Sequence, residues 1–166
     1  MDRGAAAERA WRERFEAYRA QYPLEAAEFE RRMAGDLLPA FAEQLPAVLE
    51  AIAPHVPLVI LSNSMVDLIP HSVAHLKAPF HKVYTSEEAR AYKPRMQTFE
   101  YMFDQLGCGP EQMMHVSSSF RYDLMTASDL GFMAKAFIDR GHEPTSTEYG
   151  VSRLSDVRQL PALLGL

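Results

Sequence analysis

Apolar and polar residues change their spacing once along the chain. From about Ala5 to Met33, Trp11, Phe15, Tyr18 and Tyr22 recur at intervals of four, three and four, and the stripe continues through Ala26, Phe29 and Met33. That is the period of one helix face. A proline inside a helix removes a hydrogen bond and clashes one turn back, so the pattern predicts two helices here, the second opening at Pro23. The aromatic stripe reads as core or subunit packing rather than a ligand-stacking surface, and the charges opposite read as a solvated face. A third helix is predicted from Pro46, in its first turn, to about Ala53, with Val48, Leu49 and Ile52 on one side.

After Pro57 the pattern becomes an alternation of short apolar runs and helical periods. PLVILSN, HKVYTS, QMMHVSS and FMAKAFID read as strands. Between them, MVDLIPHSVAHL reads as a helix interrupted near Pro70. PRMQTFEYMFDQLG reads as a helix with Pro94 in its first turn and Gly107 as its stop, and YDLMTASDLG as one ending at Gly131. Ser155 to Leu166 predicts a short closing helix. Strands alternating with helices predict an α/β fold, a parallel sheet flanked by helices. No internal repeat or low-complexity segment breaks this order.

Composition narrows the function classes. With 166 residues, 48% hydrophobic and 23% charged, the chain is an ordinary globular sequence of one domain's length. A net charge of -5 and a pI near 5.7 argue against nucleic-acid or anionic-membrane partners, which need a concentrated basic face. One cysteine, Cys108, excludes an intrachain disulfide framework. Flanked by two glycines and with no base adjoining it in sequence, it reads as a turn residue rather than a nucleophile. The start, MDRGAAAERAWRER, has no apolar stretch of signal-peptide type, and no run reaches the ~18 apolar residues of a membrane span. A cytoplasmic location is the expectation.

The candidate chemistry sits in three strings. Ser62 and Asn63 follow Val59, Ile60 and Leu61, so a hydroxyl and an amide emerge at a strand's carboxyl end ahead of a helix, where free N–H groups suit an anion. Helix capping by Asn63 or Ser64 explains the same residues. Lys93, between Tyr92 and Pro94, is pushed toward extended backbone just before a helix; it suits an anionic group, and a plain surface lysine has the same signature. Ser117, Ser118 and Ser119 fill the turn after MMHV, with Asp123 at the start of the next helix. Turn formation and the helix dipole account for these too. Their order raises the odds: carboxyl ends of parallel strands are where α/β enzymes keep their chemistry. His71 and His75 lie four apart on a helical pattern, but no third ligand accompanies them, so no metal site is predicted. His115 reads as a core or rim histidine.

LSN, YKP and VSSSFRYD, with the phrases AYKPRMQTFEYMFDQLGCGPE, RYDLMTASDLG and RGHEP, resemble the second to fourth motifs of the haloacid dehalogenase superfamily, most closely its type II 2-haloacid dehalogenases. The resemblance covers about Pro57 to the C-terminus. It implies a Rossmann-like core at 46–166, preceded by helices at 1–45 that are similar to part of a cap. It also implies hydrolysis of a small 2-haloacid through an aspartyl ester, without metal or cofactor. Under it, Ser62 and Asn63 bind the substrate carboxylate, Lys93 orients the nucleophile, Asp123 orients Lys93 or the hydrolytic water, and Ser117, Ser118 and Ser119 support the nucleophile. The family's substrate-contacting aromatic falls at Phe99. Magnesium-dependent phosphatase members begin the fourth motif with Gly-Asp, where this chain has Ser117-Ser118.

The first motif, a strand ending in the nucleophilic aspartate before a Gly-Thr turn, has no counterpart. Asp2 and Asp36 follow no strand, and Asp139 comes last and is followed by Arg140-Gly141, so it reads as a loop residue. The expectation is therefore an incomplete parallel sheet lacking the strand between LSN and VSS, in a truncated or inactive form. A superfamily phosphatase and a non-catalytic remnant that binds a partner through its aromatic helix face are the alternatives. Partners expected are a small carboxylate substrate and a second copy of the chain.

Overall fold

The computed structural model describes residues 37–166 apart from 142, 145 and 147, and Arg9, Glu13, Glu16, Ala17, Ala20, Gln21 and Pro23 ahead of them; for 37–43 it describes the backbone alone. Two compact units divide the chain at Glu43 and Gln44. In the first, those seven residues are helical and exposed. The stripe of Trp11, Phe15, Tyr18, Tyr22, Ala26, Phe29 and Met33 lies outside the described residues.

Helix α1 spans Leu37–Ile52 with Pro46 inside it, which corrects the predicted start at Pro46. The reason is burial: Val48 and Ile52, four apart, are 6% and 1% exposed. Burying two aliphatic side chains is worth about 3 to 6 kcal/mol, enough to offset the roughly 3 kcal/mol cost of an interior proline.

Among its described residues the second unit holds five strands in two separate sheets, each strand parallel to its neighbours. Strand β1 (Leu58–Ser62) pairs with β2 (Phe80–Thr85), from Leu58 opposite Phe80 to Ser62 opposite Thr85. Strand β3 (Met114–Ser117) pairs with β4 (Ala134–Ile138), which pairs in turn with β5 (Ser152–Leu154). Among the described residues no ladder joins β1 to β3. Packing shows the consequence. Strand β4, paired on both sides, buries Ala136, Phe137 and Ile138, whereas β1 is half-buried throughout and Val116 of β3 is exposed. Thus the LSN and VSS strands neither pair with each other nor complete one five-stranded sheet.

Helix α2 (Ile69–Leu76) begins just before Pro70, so the proline sits in the first turn instead of interrupting the helix, where its missing N–H costs nothing. Helix α3 (Ser86–Ala89) is closed by a capping box: Thr85 accepts from the Glu88 N–H, and the Glu88 carboxylate accepts from the Thr85 N–H. Helix α4 (Met96–Leu106) buries Thr98, Phe99 and Met102 and ends at Gly107, whose φ of 68° suits glycine. It starts two residues after Pro94, which lies in the preceding turn. A π-helical turn at Phe120–Leu124 leads into α5 (Met125–Asp129). The tail forms a 3-10 turn and α6 (Leu160–Leu163). Tyr84, Phe99, Met102, Ala127 and Phe132 make the core beneath β2 and α4. No described helix is long and apolar enough to cross a membrane.

Candidate active site

The carboxyl ends of β1 and β3 and the loop ahead of α4 meet around Lys93. That loop is pinned along its length. Thr98 Oγ1, fully buried, donates to the Ala91 carbonyl at 2.9 Å. Asn63 Nδ2 donates to the Lys93 carbonyl at 3.0 Å while the Lys93 N–H donates to Asn63 Oδ1 at 2.7 Å. Thr126 Oγ1 donates to the Pro94 carbonyl at 2.8 Å. Helices α4 and α5 and the end of β1 each hold one stretch of it, so the lysine's backbone has little freedom.

Lys93 Nζ donates to Asp123 Oδ1 at 2.7 Å, with side chains 12% and 8% exposed. Asp123 has two further donors: His115 Nε2 at 3.0 Å on the same oxygen, and Ser117 Oγ at 3.0 Å on Oδ2. Burial alone would raise the Asp123 carboxyl, but hydrogen bonding from His115 and the charge of Lys93 outweigh it and hold it below its ordinary value. Asp123 is therefore an ionised counter-charge rather than an acid. Its place comes from the π-helical turn, whose N-cap, Ser119 Oγ, accepts from the Tyr122 N–H.

The three serines take three different partners. Ser117 Oγ also accepts from the Ser119 N–H at 3.1 Å. Ser118 Oγ accepts from Arg140 Nη2 at 2.5 Å. Ser119 Oγ donates to Glu143 Oε1 at 2.8 Å, and the Phe120 N–H donates to Glu143 Oε2 at 2.7 Å. Burial lowers the Arg140 guanidinium, and the Glu143 charge opposes it. Glu143 and Arg140, from the RGHEP string, thus fasten the serine turn, a task the sequence reading did not give them.

Lys93, Asp123 and Ser117 come together as the order of the motifs predicts. Asn63 comes too, but both ends of its amide are engaged by the Lys93 backbone. Ser62 Oγ accepts from the Ser64 N–H at 3.1 Å, keeping its own proton available at the rim. Phe99 is a correction. It is 0% exposed, packed against the rings of His115 and Phe132, so it cannot touch a substrate; its position on the buried face of α4 decides this. Exposed aromatics flanking the site are Tyr92 and Tyr122. Asp139 lies past β4 and pairs with Arg153, a loop residue as read. Among the described residues no group of three or more His, Cys, Asp or Glu side chains could hold a metal.

No family model matches the chain. Solved structures do. A dehalogenase is similar at 20% identity over 94% of this chain and 82% of its own, with a TM-score of 0.63. The L-2-haloacid dehalogenase of Xanthobacter autotrophicus, with chloropropionic acid covalently bound, is similar at 22% identity over 72% of this chain and 59% of its own, TM-score 0.60. A phosphatase of the same superfamily from Thermococcus onnurineus reaches 22%, 72%, 55% and 0.60 in the same terms. The chain has the α/β fold of the haloacid dehalogenase superfamily.

A separate likeness is short. Over 48 residues, 29% of the chain, it is 58% identical to transketolase 2 of Xanthobacter flavus, of which the match covers 7%. So small a share of that enzyme brings none of its activity with it.

Proposed function

We propose that this chain provides the supporting shell of a hydrolase of the haloacid dehalogenase type, acting on a small 2-haloacid. The observation that carries the reading is the Lys93–Asp123 pair braced by Ser117 at the carboxyl ends of the strands. A cation so held beside a fixed counter-charge is suited to orienting a second, reacting carboxylate. Among the described residues Lys93 Nζ has no other carboxylate partner, and no ladder joins β1 to β3, whose carboxyl ends share this rim. A strand pairing with both, with an aspartate at its carboxyl end, would supply the nucleophile.

In that arrangement a carboxylate oxygen attacks the halogen-bearing carbon, and halide leaves with the bonding electrons. Water then attacks the ester carbonyl, releasing the 2-hydroxyacid and restoring the carboxylate, with one proton passed to solvent. Ser62 binds the substrate carboxylate with the N–H groups beyond β1, and Asn63 serves by fixing Lys93.

A metal-dependent phosphatase is the second reading, favoured by the likeness to the Thermococcus enzyme. Against it, Ser117 and Ser118 stand where that chemistry needs a hard oxygen anion, and both hydroxyls are engaged, by Asp123 and Arg140. The test is a chain encoded with an apolar strand, aspartate and Gly-Thr turn ahead of Met1. Halide release from 2-haloacids supports the proposal; magnesium-dependent phosphate release instead supports the second reading. No turnover on either panel, with a stable oligomer, supports the partner-binding remnant.

A further inference from the structure

We propose that His115 is a positioning residue for Lys93, acting through Asp123. Along a strand, residues two apart share a face, and β3 uses this to present His115 and Ser117 to the same carboxylate. The two donors go to different oxygens, Nε2 to Oδ1 and Oγ to Oδ2. Held at both ends from one strand, the carboxylate cannot turn about its own axis. Oδ1 is then fixed where Lys93 Nζ meets it at 2.7 Å.

Packing alone does not call for a histidine there. Its ring lies between Phe99 and Phe132, with centroid separations of 5.4 and 5.5 Å, in surroundings that a leucine or phenylalanine fills equally well. What the imidazole adds is a donor aimed out of that apolar wall at a buried carboxylate. A carboxylate only accepts, so Nε2 carries the proton in either charge state of the ring. Of the elements packed around His115, the π-helical turn brings Asp123 and the loop ahead of α4 brings Lys93, while α4 and the segment after α5 bring the two phenylalanines.

The role in turnover rests on the hydrolase reading, so the deciding measurement is made without substrate. In the intact chain labelled with carbon-13 at aspartate side chains, the Asp123 carboxyl is titrated in the wild type, His115→Phe and His115→Gln. The carboxylate loses a hydrogen bond to its ionised form, so His115→Phe is expected to raise the Asp123 midpoint by about one pH unit or more. His115→Gln, whose side-chain amide can donate near the same point, is expected to restore much of that shift. Ser117→Ala, removing the donor on the other oxygen, checks that the signal reports this carboxylate. An unchanged midpoint in a folded His115→Phe protein overturns the proposal. So does equal loss in Phe and Gln variants, which marks a packing role. In the strand-restored chain the same Phe variant is expected to lose kcat about tenfold with KM little changed. If no variant turns over while the titration behaves as stated, the hydrolase reading fails and the positioning role stands.

Discussion

Asn63 holds Lys93 by its main chain. The amide donates to the lysine carbonyl at 3.0 Å and accepts from its N–H at 2.7 Å, across thirty residues of sequence. A side chain here makes the pair of bonds a neighbouring strand would make, and through it the end of β1 sets where the lysine stands.

Replacing Asn63 by Ala removes both bonds. They lie near solvent, so the stability cost is small, about 1 kcal/mol, read as a slightly lower unfolding midpoint. Lys93 loses its aim rather than its charge. In a strand-restored chain the expected effect is a fall in kcat of about tenfold or more. A variant that changes KM alone would return Asn63 to direct substrate binding.

Breaking the buried pair costs much more. Lys93 and Asp123 are 12% and 8% exposed, and removing one partner of a buried pair leaves a charge uncompensated, at about 3 kcal/mol or more. Asp123→Ala is predicted to destabilise by that order in urea unfolding, because it strands the lysine. Lys93→Met should cost less, since His115 and Ser117 still satisfy the carboxylate. Equal losses would contradict this ordering.

The same carboxyl predicts an acid response. Its folded value is held below the ordinary one, so it contributes stability that is fully present above the unfolded carboxylate range. That contribution is lost as pH falls from about 4 through the folded value. Asp123→Asn should flatten this acid limb in a series of thermal melts. A limb of unchanged steepness would assign it to other carboxylates.

The open edges predict uneven protection. Strand β4 is buried and paired on both sides over Ala136–Ile138, whereas β1 and β3 each pair on one side only among the described residues. Peptides covering Leu58–Ser62 and Met114–Ser117 should exchange their amide hydrogens faster than one covering Ala134–Ile138. Adding a strand that pairs with both β1 and β3 should slow the first two and leave the third unchanged. Uniform protection in the unaltered chain would mean both edges are already covered.

Much of this frame is legible in the sequence because apolar runs such as LVILS and AKAFI mark strands directly, whatever their final burial. Phe80–Thr85 and Met114–Ser117 were equally readable beside their turns. What was not legible depends on distant partners. Strand β5 is only Ser152–Leu154 and owes its existence to β4 beside it. Pro46 looked like a beginning because the burial of Val48 and Ile52, which carries the helix past it, is tertiary. Within the site, order along the chain found Lys93, Asp123 and Ser117. Phe99 was misplaced because alignment to a motif does not tell which face of α4 is buried. His115 looked like core because half of it is: its ring packs on phenylalanines while one nitrogen reaches Asp123. Glu143 and Arg140 sit more than twenty residues from the serines they hold, and no local spacing signals that.

Chloride release from 2-chloropropionate is the most direct measure of the central claim, made on the chain alone, on the chain with the aspartate-bearing strand restored, and on the restored chain with Lys93→Met. The account predicts release only from the restored chain, falling by orders of magnitude with the lysine. Release by the chain alone, or release indifferent to Lys93, would contradict it.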